Sequence, residues 1–563
     1  MMFAGAIFGS FVLYLVIGAA VGRKVKDTSD YFVAGRAAPV LLVVGTLVAS
    51  YLSTVSFMGE MGFSYDGYPV VLLLLTPFTV SGYVIGVVFF GRFLRRSQAL
   101  TVPEFFGRRF NSAGLQALAG LLVIVGIGLY LIAVTQGLAL VVGQLVDLPS
   151  WVILLAVWGS YTIFTFLSGS QGVLINDTIM FLVFTVAAVV GMGWLIGSAG
   201  GPVEAMQKMS EIASKPDALT WHGVTGDGNY MFSAPIDALV YAVTFGVVWS
   251  CVVAVSPWQS SRFLMAKDEH VAIRSGIFAM TIVAIIYLFL AFGGFSINLF
   301  DESVEPSEIA FIWAAENVLP ALLGVIAVTG IVAAGLSSAS SFLSLIGFSV
   351  SNDVLPYLRG RRYGESDSDP AKLKAEAGRD AASVRTEQES AESSDGVALW
   401  TARATMLIAG IVVLGITLIA PPSLLAIGYF AATLFAAAWG PVAFWSIWSG
   451  GLSTRAAAAG MIGGFAGVTV PQALVEFGGV ELPTLLNPTI IGFAVSVASI
   501  LIANIGAQPS AAGIRYREAL MVAPEEDQNP RKVAVTRRYV IFSAIALVGC
   551  IVAMLAFYAA PLQ

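Results

Sequence analysis

The stretch Ala334-Gly335-Leu336-Ser337-Ser338-Ala339-Ser340-Ser341 places four hydroxyls within five residues of an apolar run that carries no charge. The surrounding chain makes it informative. Of 563 residues, 57% are hydrophobic and only 11% charged, against about 25% charged in an ordinary soluble domain. Apolar segments of spanning length recur from end to end, each near the roughly 20 residues that a bilayer core requires. In hydrocarbon every hydroxyl must find a partner. At about 100° per residue, Ser337, Ser340 and Ser341 share one helical face, and Ala334, Ser337 and Ser338 share another. Such an island of oxygens suits a small cation.

Fourteen segments of this kind are expected, at about 3–22, 38–58, 70–92, 114–142, 150–168, 173–199, 231–255, 272–298, 318–350, 398–420, 423–448, 455–475, 484–506 and 538–560. The fold class is therefore an all-α polytopic membrane protein. Basic residues sort onto one side of the segments: Arg23, Lys24, Lys26 and Arg36 after the first, Arg92 to Arg109 after the third, Arg262, Lys267 and Arg274 after the seventh, and Arg359 to Arg362 after the ninth. The opposite side holds Lys208, Lys215 and acidic loops such as Asp301-Glu302. The basic side is read as cytoplasmic, which puts both termini outside. The first segment lacks a basic leader and a small-residue cleavage site, and reads as a retained helix. Cys251 and Cys550 give no disulfide or metal spacing, and His222 and His270 no catalytic constellation. No output domain is expected after the last helix, which counts against a membrane sensor; a channel would need no enclosed ion site. No nucleic-acid partner is expected.

Residues 363–397 are polar and poor in large apolar residues, and read as a disordered cytoplasmic linker. Segments two to six and seven to eleven are both groups of five, so the second group must have inverted topology. Each opens with an interrupted helix: Ala49-Ser50-Tyr51-Leu52-Ser53-Thr54 followed by Gly59 in one, and Thr244 to Ser256-Pro257 in the other. Broken spans at matching positions of two halves point to a transport site at the midplane.

Several separated blocks carry a resemblance to one family: Asp30-Tyr31-Phe32-Val33-Ala34-Gly35-Arg36, Leu100 to Phe110, Pro257 with Arg262-Phe263-Leu264-Met265-Ala266, and Ala334 to Ser341 with Ser351-Asn352-Asp353. In this order they resemble the sodium:solute symporters, which include sodium/proline, sodium/pantothenate, sodium/galactose and sodium/sialic acid carriers. The resemblance implies a five-plus-five inverted-repeat core of the LeuT type, and sodium-driven uptake by alternating access with sodium as coupling ion and no other cofactor. It divides the chain into an N-terminal helix and first loop, 1–36; a core, 37–450, with repeats at 37–200 and 231–450; and three accessory helices, 451–563.

Carried over residue by residue, a first sodium site takes Ala49, Leu52, Ala334, Ser337 and Ser338. The chemistry agrees, because sodium is a hard cation that takes oxygens and an unwound helix exposes unclaimed carbonyls. A second site, found in some sialic acid and sugar carriers, corresponds to Asp177, Ser337, Ser340 and Ser341. A carboxylate inside a span marks function by default; the competing reading is a helix end reaching the headgroups. Two ions would supply roughly 7 kcal/mol at 100 mV and a tenfold gradient, one ion about half of that.

Candidate residues for the solute pocket are Ser53, Thr54, Ser56, Phe57, Gln136, Trp249, Ser250, Tyr429 and Thr433, with Thr76, Thr79, Tyr130, Thr135, Thr244 and Phe435 as further members. Each also fits plain helix packing. The family's proline carriers place an acid where this chain has Tyr51, and its sugar carriers place amide and acidic groups at Val55 and Ser56, which argues against a sugar. With no Lys or Arg expected near the midplane, a carboxylate solute would rely on helix N-termini, hydroxyls and sodium. The expected solute is a small monocarboxylate or other organic anion, with an amino acid or a pantothenate-like vitamin as the alternative.

Overall fold

Apolar runs of this length fold as helices because hydrocarbon offers no partner to a free backbone amide. The computed structural model describes residues 2–23, 28–226, 230–363, 392–419, 424–480 and 482–558. Among these are twelve helices long and apolar enough to cross a membrane and two shorter apolar ones. In chain order they are α1 (Met2–Gly22), α2 (Val40–Tyr51), α3 (Pro69–Ser97), α4 (Ala113–Leu145) and α5 (Ser150–Leu167). Next come α6 (Gly169–Ser198), α7 (Pro235–Met265), α8 (Glu269–Leu299), α9 (Ala321–Leu358) and α10 (Leu399–Ile419). The last are α11 (Ile427–Trp448), α12 (Thr454–Gly478), α13 (Pro488–Asn504) and α14 (Pro530–Ala556). The linker expected at 363–397 lies mostly outside the described residues.

Three interruptions shape the bundle. α2 ends at Tyr51, because Leu52 turns to φ −79°, ψ 96°, and the chain resumes only as a π-helical turn, Val55–Glu60. This segment is therefore shorter than the expected 38–58, and the chain beyond the break forms a separate element. α7 is cut at Ser256 (φ −55°, ψ 144°), since the residue before Pro257 is pushed out of the helical region. α5 and α6 meet at Gly169, whose φ of +56° with ψ −162° is a glycine conformation, and whose missing Cβ leaves room for the Tyr31 ring.

α2 lies at the centre. Every residue from Val43 to Tyr51 is buried, as expected for a helix apolar all round. It packs on α6, α8, α9 and the second half of α7. The starts and ends of the two broken helices are tied by backbone bonds, Ala38 N–H to Met265 O at 3.1 Å and Lys267 N–H to Ala38 O at 3.0 Å. α14 leans on α8 and turns Ile541, Phe542, Ile545 and Val548 outward, as a lipid-facing helix does.

Candidate functional site

α9 crosses α2 at its break. Ala49, Leu52, Ala334, Ser337 and Ser338 are all fully buried. The Ser338 Oγ lies 3.5 Å from the Ala49 carbonyl oxygen, which is long for a hydrogen bond. Two oxygens at right angles around one cation, each at the 2.3–2.6 Å typical of hard cations, stand about 3.3–3.7 Å apart. The spacing therefore suits a shared ion better than a direct bond. Thr54, just past the break, keeps a buried hydroxyl with no partner among the described residues. Gly335 permits this approach, because a Cβ there would overlap Leu138 and come within 2.7 Å of Thr54 Cγ2. Close packing by small residues and an oxygen-lined site are here the same feature.

One turn along α9 lies a second cluster. Asp177, fully buried on α6, accepts from Thr46 Oγ1 at 2.6 Å, Ser337 Oγ at 2.7 Å and Ser341 Oγ at 3.4 Å. The reading of Asp177 as a helix end reaching the headgroups is thereby excluded. Ser340 does not join: its hydroxyl bonds back to the Ser337 carbonyl at 3.0 Å. Thr46 takes its place. Arg262, assigned from the sequence to a cytoplasmic loop, is instead 2% exposed, since the helix restarts at Pro257 and carries it inward. Its Nη2 donates to Ser341 Oγ at 2.5 Å and stands 3.7 Å from Asp177 Oδ2. Its assignment to a loop is corrected by this burial.

The solute-pocket candidates divide. Thr433 bonds to the Phe430 carbonyl, and Thr76, Thr79, Thr135 and Thr244 bond one turn back in their own helices. Ser250 meets Ser81 at 3.0 Å in the contact between α3 and α7. Phe57 packs on Phe184 and Phe311, away from the cavity; Ser53 bonds with Tyr130; Gln136 is buried and does not line it either. The Ser56 side chain lies outside the described residues. Trp249 and Tyr429 pack edge to face, 5.7 Å apart, and Tyr429 lines a cavity of about 170 Å³ together with Glu60, Phe63, Asp66, Tyr241 and Phe245. The π-helical turn reaches the wall of that cavity at Gly59 and Glu60, just past where a span ending at 58 stops.

Glu60 is the residue the sequence reading missed. It sits in Phe57-Met58-Gly59-Glu60-Met61-Gly62, an ionisable group in an apolar run, which is itself the signal; ending the segment at 58 placed it in a loop. Arg262 had a comparable signal in the Pro257 restart. Near the basic end, a buried network joins Asp353 to Thr101 at 2.7 Å and to Gln116 at 2.7 Å. Burial pushes the neighbouring Glu104 carboxyl up, but Arg108, the Leu100 amide and Asn352 together hold it below its ordinary value. The space between Ser341, Arg262 and Phe32 measures only about 20 Å³, so the bundle is packed tight there and roomier at the Glu60 cavity.

Comparison with known proteins gives a consistent picture. A family model described as the sodium:solute symporter family matches residues 31–369. The sodium/pantothenate symporter of Haemophilus influenzae is 27% identical over 293 residues, 50% of this chain and 58% of that protein. The sodium/sialic acid symporter NanT of Aliivibrio fischeri is 25% identical over 217 residues, 37% of this chain and 41% of that one. The chain thus spans less than two thirds of the length of the curated relatives it matches. A solved structure of a substrate-bound, outward-open Na⁺-coupled sialic acid symporter shares the fold, with a TM-score of 0.70 at 16% identity over 90% of this chain and 98% of that one.

Proposed function

Because this chain belongs to the sodium:solute symporter family, we propose that it couples inward sodium movement to uptake of a small organic solute by alternating access. The observation that carries the reading is the meeting of the broken α2 with the α9 serines, where Ala49 O and Ser338 Oγ stand 3.5 Å apart. Ala49 and Leu52 offer carbonyls, Ser337 and Ser338 hydroxyls, and Ala334 the backbone of the preceding turn. These neutral oxygens compensate a monovalent ion without holding it so strongly that it cannot leave.

Asp177, Thr46, Ser337 and Ser341 form the candidate second sodium site. A buried carboxylate needs a counter-charge at every stage of a cycle, and Arg262 supplies one when sodium is absent. Sodium arriving at Asp177 then takes over the oxygens of Ser341 and Asp177 that Arg262 holds. Ser337 belongs to both sets, so occupancy of one biases the other. With the basic ends cytoplasmic and both termini outside, the Glu60 cavity faces outward and the Arg262 cluster lies toward the cytoplasm.

Reconstitution into vesicles tests this. With an imposed sodium gradient and an inside-negative potential, a radiolabelled panel of acids, amino acids and vitamins should include a solute that accumulates. Sodium alone should raise the thermal midpoint, since an ion that binds only the folded state stabilises it. No sodium-dependent accumulation and no sodium shift would reject the reading.

A further inference from the structure

We propose that the solute carries an ammonium group, either alone or as the cationic end of a zwitterion, and that Glu60 and the surrounding aromatic rings recognise it. The inference rests on the symport reading and names the substrate class of that site. It replaces the organic anion expected from the sequence.

The carboxylate comes first. Glu60 Oε2 is buried and has no hydrogen-bond partner among the described residues; the group's one side-chain bond is with Tyr287. A carboxylate oxygen shielded from water and left unpaired is costly. Glu60 is one of the residues that wall the 170 Å³ cavity, which is of the size of the ~150 Å³ cavity known to hold benzene. The occupant is therefore small.

The rest of the wall favours positive charge. Phe63, Tyr241, Phe245 and Tyr429 line it together with Asp66 and Glu308. Tyr241 and Phe245 stack at 5.0 Å and Phe245 meets Tyr429 edge to face at 5.2 Å, so rings of several orientations surround the space. Aromatic faces attract alkylammonium ions, more so when water is excluded. No Lys or Arg lines the cavity among the described residues. Lys215, whose charge acts on Asp66, is engaged by the Tyr65 carbonyl at 2.8 Å and by Asn298 Oδ1 at 2.6 Å. A solute that carries only negative charge would meet Glu60 with no cationic group of its own to pair it.

Glu60 is also wired to the ion site. Its partner Tyr287 lies 3.1 Å from the Tyr51 hydroxyl, and Tyr51 is the last residue of α2 before the break that exposes Ala49 and Leu52. An ion that orders the break orders Tyr51, and through Tyr287 it orients Glu60.

The test uses the full chain in vesicles under a sodium gradient, with radiolabelled choline, glycine betaine, L-alanine and L-proline set against lactate, pyruvate and pantothenate. At least one ammonium-bearing probe should accumulate. Glu60→Gln should raise its KM roughly 10- to 100-fold, as loss of a charge-assisted contact does, while the sodium-induced thermal shift persists. Tyr287→Phe, which keeps the carboxylate, should raise KM less than Glu60→Gln does. Accumulation of lactate, pyruvate or pantothenate alone, or a Glu60→Gln variant that keeps its sodium shift and an unchanged KM, overturns the proposal. Loss of both accumulation and sodium shift in the parent protein refutes the symport reading and the proposal with it.

Discussion

Replacing Asp177 by Asn tests the centre of the ion machinery. The carboxylate holds Thr46, Ser337 and Ser341 and lies 3.7 Å from the Arg262 guanidinium, with both charged residues almost fully buried. Removing one member of a buried pair strands the other and costs about 3–5 kcal/mol. An amide also turns a donor toward hydroxyls that donate to Asp177, which adds part of a hydrogen bond to the loss. Removing both charges together, in Asp177→Asn with Arg262→Gln, should recover most of that stability, because no charge is then left unpaired. The assay is the thermal midpoint of parent, two single variants and double variant in one detergent, read as a double-mutant cycle. The parallel measurement is the sodium-to-solute ratio in vesicles, which Asp177→Asn should lower. If the single variant is as stable as the parent, or the double variant is worse than both singles, the pairing does not carry the cost assigned to it. An unchanged ratio would remove Asp177 from ion binding.

Ser338→Ala should raise the sodium concentration for half-maximal uptake roughly tenfold, as loss of one oxygen contact worth about 1–1.5 kcal/mol implies; an unaltered sodium curve would place the ion elsewhere. Gly169→Ala must hold an alanine at φ +56°, ψ −162° against the Tyr31 ring, at a cost of about 1–3 kcal/mol or more, visible as a lower thermal midpoint. Burial pushes the Asp268 carboxyl up, but Lys532, the Val271 amide and His270 hold it below its ordinary value. Its stabilising effect is therefore complete above the unfolded pKa of about 3.9 and disappears as pH falls through the lower folded value. Asp268→Asn should be less stable than the parent at pH 7, and the gap should narrow as pH falls below the unfolded pKa of about 3.9.

Much of the architecture was legible because it follows from hydrocarbon. Segment order, the break after Ala49, the break at Ser256-Pro257 and the boundary between the fifth and sixth segments all correspond to apolar length interrupted by small residues or proline. The approach of Ser338 to the broken helix was legible for the same reason, since serines in an apolar run stand out. Errors arose where a segment end was drawn by hydropathy alone. Glu60 and Arg262 lie within a few residues of a break, and a charged side chain there ends an apolar window whether it faces water or protein. Ser340 failed differently: a 100° step places it beside Ser337 and Ser341, but only the neighbouring helix decides which of the three meets Asp177.

The sequence by itself determined that the chain spans a membrane as a helical bundle, where its central helices break, and that hydroxyls gather opposite one break. Those are consequences of local composition acting against an apolar solvent. Only the tertiary structure decided that Arg262 turns inward to Asp177, that Thr46 replaces Ser340, and that Glu60 faces a ring-lined cavity. Each depends on side chains from helices far apart in the chain approaching within a few ångströms, and buried charge is governed by that distance and by the company it keeps.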